Sequence, residues 1–189
     1  MAINTKFASA IVDFGLIVKD LKASVEFYTE AIGFIEVMGF DVPADIAGRS
    51  GLTDHRPLEI SILQINPDSG IPSTDLKLMQ IDDVETDQND RAFVHSRYGV
   101  NYMSLFVSDV TSTLARLREK SVPIRGEGIV QLPLELSIGA LLRPPPSSGE
   151  DAWMHDFEKL EDVGMIVVQD PDGNFIEMIG PFESGKPDV

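Results

Sequence analysis

The sequence predicts an α+β fold in which two βαβββ modules follow one another along the chain. The apolar run Val12–Leu21 ends in the pattern V-x-D-L, and the run Asn101–Val110 ends in V-x-D-V, with Val107 lying 89 residues after Val18. In both runs an aspartate separates a strand-like segment from a helix-like segment, as an N-cap residue does. Three more strand-like segments follow in each half. One order of elements, repeated at one offset, indicates two tandem copies of a module.

The first module is expected over residues 8–85, and its first strand ends just before Asp20. Asp20 supplies the N-cap oxygen for a helix over Leu21–Ile32, and Gly33 ends that helix. Further strands are predicted at about Phe34–Phe40, Leu58–Ile65 and Leu76–Ile81. The polar, acidic stretch after them predicts a linker at residues 86–95.

The second module is expected over residues 96–182, followed by a frayed tail at 183–189. Asp109 caps a helix over Val110–Lys120, which ends near Pro123. The turn sequence Asp170–Gly173 joins the last two strands as a hairpin. The predicted strands lie near Val122–Val130, Val163–Gln169 and Asn174–Ile179. The insertion at 132–160 is long for a hairpin connection and rich in apolar residues, so it is interpreted either as a lid or as a dimer interface.

Composition and charge narrow the class of function. The chain has 189 residues, with 15 basic and 31 acidic side chains and a formal net charge of −16. This balance argues against partners with dense negative charge, so neither nucleic acid nor an anionic membrane surface is expected. The chain has no cysteine, which excludes disulfides, thiolate nucleophiles and iron–sulfur clusters. Without an apolar run of about 18 residues or a signal-peptide pattern, a cytoplasmic location is expected.

The two ends of the repeat carry motifs of a known family. The segment DFGLIVKDLKASVEFYTEAIGF at 13–34 and the segment QDPDGNFIEMIGP at 169–181 are the residues concerned. They resemble the opening pattern H-x-x-x-x-V-x-D-L-x-x-S-x-x-F-Y-x-x-x-L-G-F and the closing pattern D-P-D-G-N-x-I-E of the vicinal oxygen chelate superfamily (glyoxalase, bleomycin resistance protein, extradiol dioxygenase). The resemblance implies a cup formed by two four-stranded curved sheets, in which up to four inward side chains hold a divalent metal. It also implies a small-molecule partner and a homodimer.

The resemblance places the four ligand positions on Asp13, Lys77, Tyr102 and Glu177, of which only Glu177 has the family's usual ligand type. Strand alternation supports this placement from the residues alone, because these polar side chains share one parity of their strands while the other parity is apolar. A mixed face of this kind is typical of a small-molecule pocket. The predicted substrate contacts on it are Ile17, Met79, Ser104, Phe106 and Phe175, with Trp153 from the insertion. On the third strand the alternatives are Glu59 and Ser61, or Leu58, Ile60 and Ile62.

Three interpretations of the four ligand positions stay open. In the first, Asp13 and Glu177 bind a divalent metal; oxygen ligands without imidazole favour hard ions such as Mg²⁺, Mn²⁺ or Ca²⁺, and Fe²⁺ is a further candidate. In the second, no metal is bound, Lys77 pairs with both carboxylates, and a carboxylate acts as general base while Tyr102 donates to an oxyanion. In the third, the face binds a ligand without reacting, as a resistance protein does.

The broken ligand pattern favours the interpretations without a metal, so the first expectation is that no cofactor is bound. The expected ligand is a small, partly apolar molecule that carries carbonyl or hydroxyl oxygens. Chemistry of lyase, isomerase or dioxygenase type is considered for it, whereas glyoxalase I activity is not expected, because the family's pattern of histidine and carboxylate ligands is broken.

Overall fold

The computed structural model of the chain describes residues 12–69, 73–84, 102–132 and 163–181. The chain divides into two compact units, Met1–Asn89 and Asp90–Val189, which we call unit 1 and unit 2. Each unit contains one four-stranded mixed sheet, and the order strand, helix, three strands occurs in both. The predicted α+β fold is confirmed. In the part of the chain that the structure describes, no helix combines the length and apolar character needed to cross a membrane.

Unit 1 follows the predicted order of elements, with two short additions. The strand β1 (Phe14–Ile17) leads to the α-helix α1 (Leu21–Glu26), which continues as a π-helical segment (Phe27–Ile32) up to the predicted end of the helix. The remaining elements are the strand β2 (Ile35–Val42), the helix α2 (Ala44–Arg49), the strand β3 (Leu58–Gln64), a 3-10 turn (Pro67–Ser69) and the strand β4 (Leu76–Gln80). The sequence does not predict α2, because six residues are too few to show helical periodicity.

The helical segment of unit 1 begins and ends at the two predicted residues. The Asp20 side chain accepts a hydrogen bond from the backbone N–H of Ala23 at 2.9 Å. At the other end Gly33 adopts a left-handed conformation with φ of 104°, and its N–H donates to the Tyr28 carbonyl at 3.0 Å. That bond spans five residues, which is the π-helical pattern. The Tyr28 side chain is fully buried and contacts the Phe34 ring edge-on at a centroid distance of 5.9 Å.

The sheet of unit 1 has the strand order β1-β4-β3-β2, in which β1 and β4 are parallel and the other neighbours are antiparallel. The helix α1 packs against β3 and β4. Leu63, Leu76 and Leu78 are almost fully buried and share one parity of these strands. Because side chains alternate between the two faces of a strand, the other parity lies on the face turned away from α1.

Unit 2 repeats this arrangement. Its elements are the strand β5 (Tyr102–Phe106), the helix α3 (Val110–Glu119) and the strands β6 (Ile124–Gln131), β7 (Val163–Gln169) and β8 (Phe175–Pro181). The sheet has the order β5-β8-β7-β6, with β5 and β8 parallel. Asp109 caps α3 by accepting hydrogen bonds from the N–H groups of Thr111 and Ser112. The helix packs against β6, β7 and β8 and buries Leu114 and Leu117.

The turn between β7 and β8 is held by Asp170. Its buried carboxylate accepts hydrogen bonds from the N–H of Asp172 at 3.0 Å and from the N–H of Asn174 at 2.7 Å. Gly173 takes the left-handed conformation, with φ of 83°, which favours glycine at this position. The predicted hairpin at Asp170–Gly173 is therefore present, and it fixes the register in which β8 presents its side chains.

Candidate functional site

The polar centre of unit 1 is an ion pair between Asp13 and Lys77. The Lys77 Nζ donates to Asp13 Oδ2 at 2.7 Å, and about a third of each side chain is exposed, 35% for Lys77 and 39% for Asp13. The hydrogen bond from Lys77 lowers the pKa of the Asp13 carboxyl below its ordinary value, and the Asp75 backbone N–H assists it. Asp13 is therefore ionised at neutral pH, with its charge balanced by an ammonium group.

The strand register explains why these two side chains meet. We call the face of each sheet that is turned away from α1 or α3 its open face. On the parallel pair β1 and β4, Gly15 lies opposite Lys77 and Ile17 lies opposite Met79, so all four positions share the open face of unit 1. A Cβ atom on Gly15 would come within 2.7 Å of the Met79 methyl carbon. The missing side chain at Gly15 therefore makes room for Met79 beside the ion pair.

The third strand contributes apolar residues to this face. Ile60 lies opposite Met79 and Ile62 lies opposite Lys77, which decides between the two alternatives left open by the sequence. Ala47 of the helix α2 forms a buried cluster with Leu58 and Ile60 of this face. The other parity of β3 faces α1, where the buried Ser61 hydroxyl donates to the Glu36 carboxylate at 2.6 Å.

The polar contact of unit 2 is a hydrogen bond between two residues that lie directly opposite each other on β5 and β8. The Ser104 hydroxyl donates to Glu177 Oε2 at 3.2 Å, and Glu177 is half-buried. Tyr102 and Phe106 share the open face with Ser104 and are 39% and 52% exposed. A carboxylate, a hydroxyl and two exposed rings thus lie along one strand pair.

Two residues of this face are buried. Phe175 and Ile179 flank Glu177 on β8, and they are only 1% and 4% exposed. The predicted contact of Phe175 with a ligand stays a prediction. Trp153, also predicted as a contact, lies outside the described residues.

The structure adds two polar residues, Arg125 and Gln169, that the sequence does not mark as site residues. The Arg125 side chain on β6 donates from Nε to the Gln169 amide oxygen at 2.7 Å, and its Nη2 also contacts that oxygen. Arg125 lies opposite Val167, which lies opposite Glu177, so these side chains share the open face of unit 2. Alternation counted along β6 gives no reliable signal for Arg125, because the pairing of this strand shifts between Arg125 and Val130.

The donor set described in unit 1 does not suit a divalent metal. In unit 1 the Lys77 ammonium holds the Asp13 carboxylate, and an ammonium repels a cation and offers it no lone pair. In unit 2 the partner of Glu177 is the neutral Ser104 hydroxyl. Across residues 12–69, 73–84, 102–132 and 163–181, no three His, Cys, Asp or Glu side chains form a group that would hold a metal ion. Asp13 and Glu177 belong to different units, and their joint role as metal ligands stays a prediction.

Comparison with known proteins identifies a family. Residues 10–128 match the family model described as Glyoxalase/Bleomycin resistance protein/Dioxygenase superfamily. No curated protein sequence matches the chain. The matched range covers the whole described part of unit 1 and the first strand and helix of unit 2.

Several solved structures resemble this chain. A glyoxalase family protein from Bacillus cereus is 17% identical with a TM-score of 0.62, and the alignment covers 96% of this chain and 100% of that one. A trypanothione-dependent glyoxalase I from Leishmania major is 21% identical with a TM-score of 0.52, covering 92% and 87%. A glyoxalase/bleomycin resistance protein/dioxygenase domain from Frankia sp. is 17% identical with a TM-score of 0.52, covering 96% and 98%. At these identities the likeness concerns the fold.

Proposed function

This chain belongs to the Glyoxalase/Bleomycin resistance protein/Dioxygenase superfamily, and from that membership we propose that it binds a small, partly apolar molecule that carries carbonyl or hydroxyl oxygens. The observation that carries the proposal is the Asp13–Lys77 ion pair on the open face of unit 1. An ammonium has three donor hydrogens, so Lys77 can hold Asp13 and also donate to a ligand oxygen. Ile17, which is 44% exposed, and the half-buried Met79 supply the apolar surface beside it.

A second candidate function is proton transfer without a metal, in which Glu177 acts as general base. Glu177 is half-buried and accepts its hydrogen bond from a neutral hydroxyl, so in the described part of the chain no cation neutralises its charge. A carboxylate in that setting is available to take a proton from a bound C–H or O–H group. Tyr102, exposed on the same face, would then donate to the oxyanion that forms. Such chemistry belongs to the lyase or isomerase type.

The alternative to catalysis is binding alone. A resistance-type protein would use Lys77 and the apolar residues in the same way and would release its ligand unchanged. Members of this fold family bind small molecules and often form dimers, and we extend both properties to this chain as proposals, together with its cytoplasmic location.

Ligand-observed NMR on the full chain tests the binding proposal, with a set of small aromatic and aliphatic carbonyl compounds as probes. The variant Lys77→Met removes the ammonium and keeps the length of the side chain, and the control Lys22→Met removes an exposed ammonium from α1. We expect Lys77→Met to weaken the bound probes by about tenfold, because a hydrogen bond from a charged group contributes about 1.5–3 kcal/mol. Equal affinity in the wild type and in Lys77→Met would contradict the proposal.

Hydrogen exchange in D₂O separates an enzyme from a binder. If Glu177 is a general base, bound probes lose the signal of an acidic C–H proton, and Glu177→Gln slows that loss by about 10²–10⁴-fold. The control Glu119→Gln removes a carboxylate at the end of α3 and leaves the exchange unchanged. Binding without any exchange favours the resistance-type function. Stoichiometric metal that disappears in Glu177→Ala would contradict the metal-free mechanism.

A further inference from the structure

One row of side chains crosses the open face of unit 2 from edge to edge. Ser104 lies opposite Glu177, Glu177 lies opposite Val167, and Val167 lies opposite Arg125. Residues in direct register project to the same face of a sheet. The row therefore carries a carboxylate and a guanidinium on strands separated by one intervening strand, with backbone positions about 10 Å apart.

The guanidinium of Arg125 is oriented by a neutral partner. Its Nε and Nη2 both donate to the amide oxygen of Gln169, and the Nε distance is 2.7 Å. Gln169 is itself fixed, because it is only 8% exposed and its Nε2 donates to the Gly173 carbonyl at 3.1 Å. An amide balances no charge, and two of the five donor hydrogens of an arginine are used in this contact. The positive charge and further donors thus stay on the open face.

The backbone of β6 is interrupted directly after Arg125. Pairing with β7 passes from Arg125 opposite Val167 to Val130 opposite Met165, so residues 126–129 form a large bulge. Gly126 and Gly128 take the left-handed conformation there, with φ of 71° and 99°. Bulges re-aim the side chains next to them and are common beside ligand sites. Arg125 is the last regularly paired residue before this bulge.

The two charges of the row are not paired with each other. In the described parts of unit 2 neither Arg125 nor Glu177 forms a salt bridge, and each is bonded instead to a neutral side chain, Gln169 or Ser104. Two opposite charges therefore lie on one face, and each is hydrogen-bonded to a neutral side chain instead of to the other charge. This arrangement suits a ligand that carries a group complementary to each of them. Such a ligand presents an anionic oxygen to the guanidinium and a proton donor or an acidic C–H to the carboxylate.

We propose that Arg125 recognises a carboxylate group of the ligand and that Gln169 is the residue that positions it. The inference rests on the proposed small-molecule function and narrows its ligand class to oxygenated carboxylic acids. The guanidinium fork matches the two oxygens of a carboxylate, which an ammonium does not. With a net charge of −16 on the whole chain, a locally oriented cation is needed for an anion to bind here.

The test compares acids with their neutral counterparts. Ligand-observed NMR on the full chain measures the affinity of 2-oxo acids, with phenylpyruvate as the first probe, and of the matching primary amides. The variants are Arg125→Gln, Arg125→Lys and Gln169→Glu, and the control Arg118→Gln removes a cation from α3. Because Gln169→Glu places a carboxylate against Arg125, it is expected to compete with an acidic ligand while Arg125 stays in place.

The wild type is expected to bind acids more tightly than amides by about tenfold or more, since charge-assisted hydrogen bonds are about twice as strong as neutral ones. Arg125→Gln and Gln169→Glu should remove that preference without weakening amide binding, Arg125→Lys should restore part of it, and Arg118→Gln should keep it. Equal loss for acids and amides would overturn the proposal in favour of a purely structural arginine. Equal binding of both by the wild type would overturn it while the small-molecule function stands. Binding of neither would count against both.

Discussion

In unit 1 Gly15 lies opposite Lys77 on the parallel strand pair, and in unit 2 Ser104 lies opposite Glu177 on the corresponding pair. One pair therefore presents a cation opposite a glycine, and the other presents a carboxylate opposite a hydroxyl. The cation of unit 1 is balanced by Asp13, whereas the carboxylate of unit 2 is held by the neutral Ser104. The two copies of the module thus carry opposite charges at one position.

The backbone around these pairs is the same in both units. The N–H of Val18 donates to the Met79 carbonyl, and the N–H of Val107 donates to the Ile179 carbonyl, both at 2.9 Å. Both strands are followed by an aspartate that caps the next helix. Main-chain hydrogen bonds and caps therefore maintain the module, while the side chains on the open face are free to change the chemistry.

The largest predicted effect tests whether the two cores are equivalent. Leu78 and Met178 occupy matching positions on β4 and β8, on the parity that faces the helix, and are 0% and 1% exposed. Replacing either by alanine removes buried methylene groups and leaves a cavity, so each change should lower the free energy of unfolding by about 2–5 kcal/mol. Denaturant unfolding followed by circular dichroism measures it.

The control for this pair is Lys22→Ala, an exposed position on α1 that should shift the free energy of unfolding by less than about 0.5 kcal/mol. If Leu78→Ala lowered the free energy of unfolding strongly and Met178→Ala hardly changed it, the two cores would not be equivalent.

The sequence predicted the repeated features because each has a local signal. The caps Asp20 and Asp109, the glycine that ends the first helix and the turn at Asp170–Gly173 follow from chemistry within a few residues. The α2 helix shows no such signal. It is only six residues long, and its buried contact is with Leu58 of the strand β3, which local chemistry within the helix does not indicate.

Two features of the open faces depend on strand register. The segment Leu58–Ile62 alternates between apolar and polar residues, and only its pairing with β4 shows which parity faces α1. On β6 the bulge after Arg125 interrupts the two-residue period, so no count along the sequence brings Arg125 into the row of Glu177. Register arises from contacts between distant segments, which a single sequence does not display.

The next effect concerns the matching positions Gln80 and Gly180 at the ends of β4 and β8. Unit 1 has a side-chain hydrogen bond there, and unit 2 has a close backbone contact. The Gln80 side chain accepts a hydrogen bond from the Leu21 N–H at 2.6 Å, which helps to begin α1. At Gly180 a Cβ atom would overlap the carbonyl oxygen of Val107, the residue that follows β5. Gly180→Ala should therefore destabilise the chain by about 1–3 kcal/mol, as overpacking does. Thermal unfolding followed by circular dichroism measures the loss.

Gln80→Ala is the matched change in unit 1 and should cost about 1 kcal/mol, because it removes one hydrogen bond without any overlap. Gly39→Ala controls for the glycine substitution itself, since a Cβ there would make only ordinary van der Waals contacts, with the nearest atom, the Ile60 carbonyl oxygen, at 3.6 Å. If Gly180→Ala proved as stable as the wild type, the close approach of β5 and β8 would not be what distinguishes the two units.

The smallest effect isolates the charge that distinguishes unit 1. The hydrogen bond from Lys77 lowers the pKa of Asp13, so Asp13 stabilises the folded state at pH values above its unfolded pKa of about 3.9. That contribution is lost as the pH falls through the lower pKa of the folded state. In Lys77→Met the Asp13 carboxyl pKa should rise towards its ordinary value, as measured by ¹³C NMR titration, and acid unfolding should lose this part of its pH dependence.

Lys22→Met should leave the Asp13 titration unchanged. An unchanged titration in Lys77→Met as well would mean that the Asp75 backbone N–H, at 3.5 Å, lowers the pKa by itself. The charge of Lys77 would then not be the cause of the acid sensitivity of unit 1.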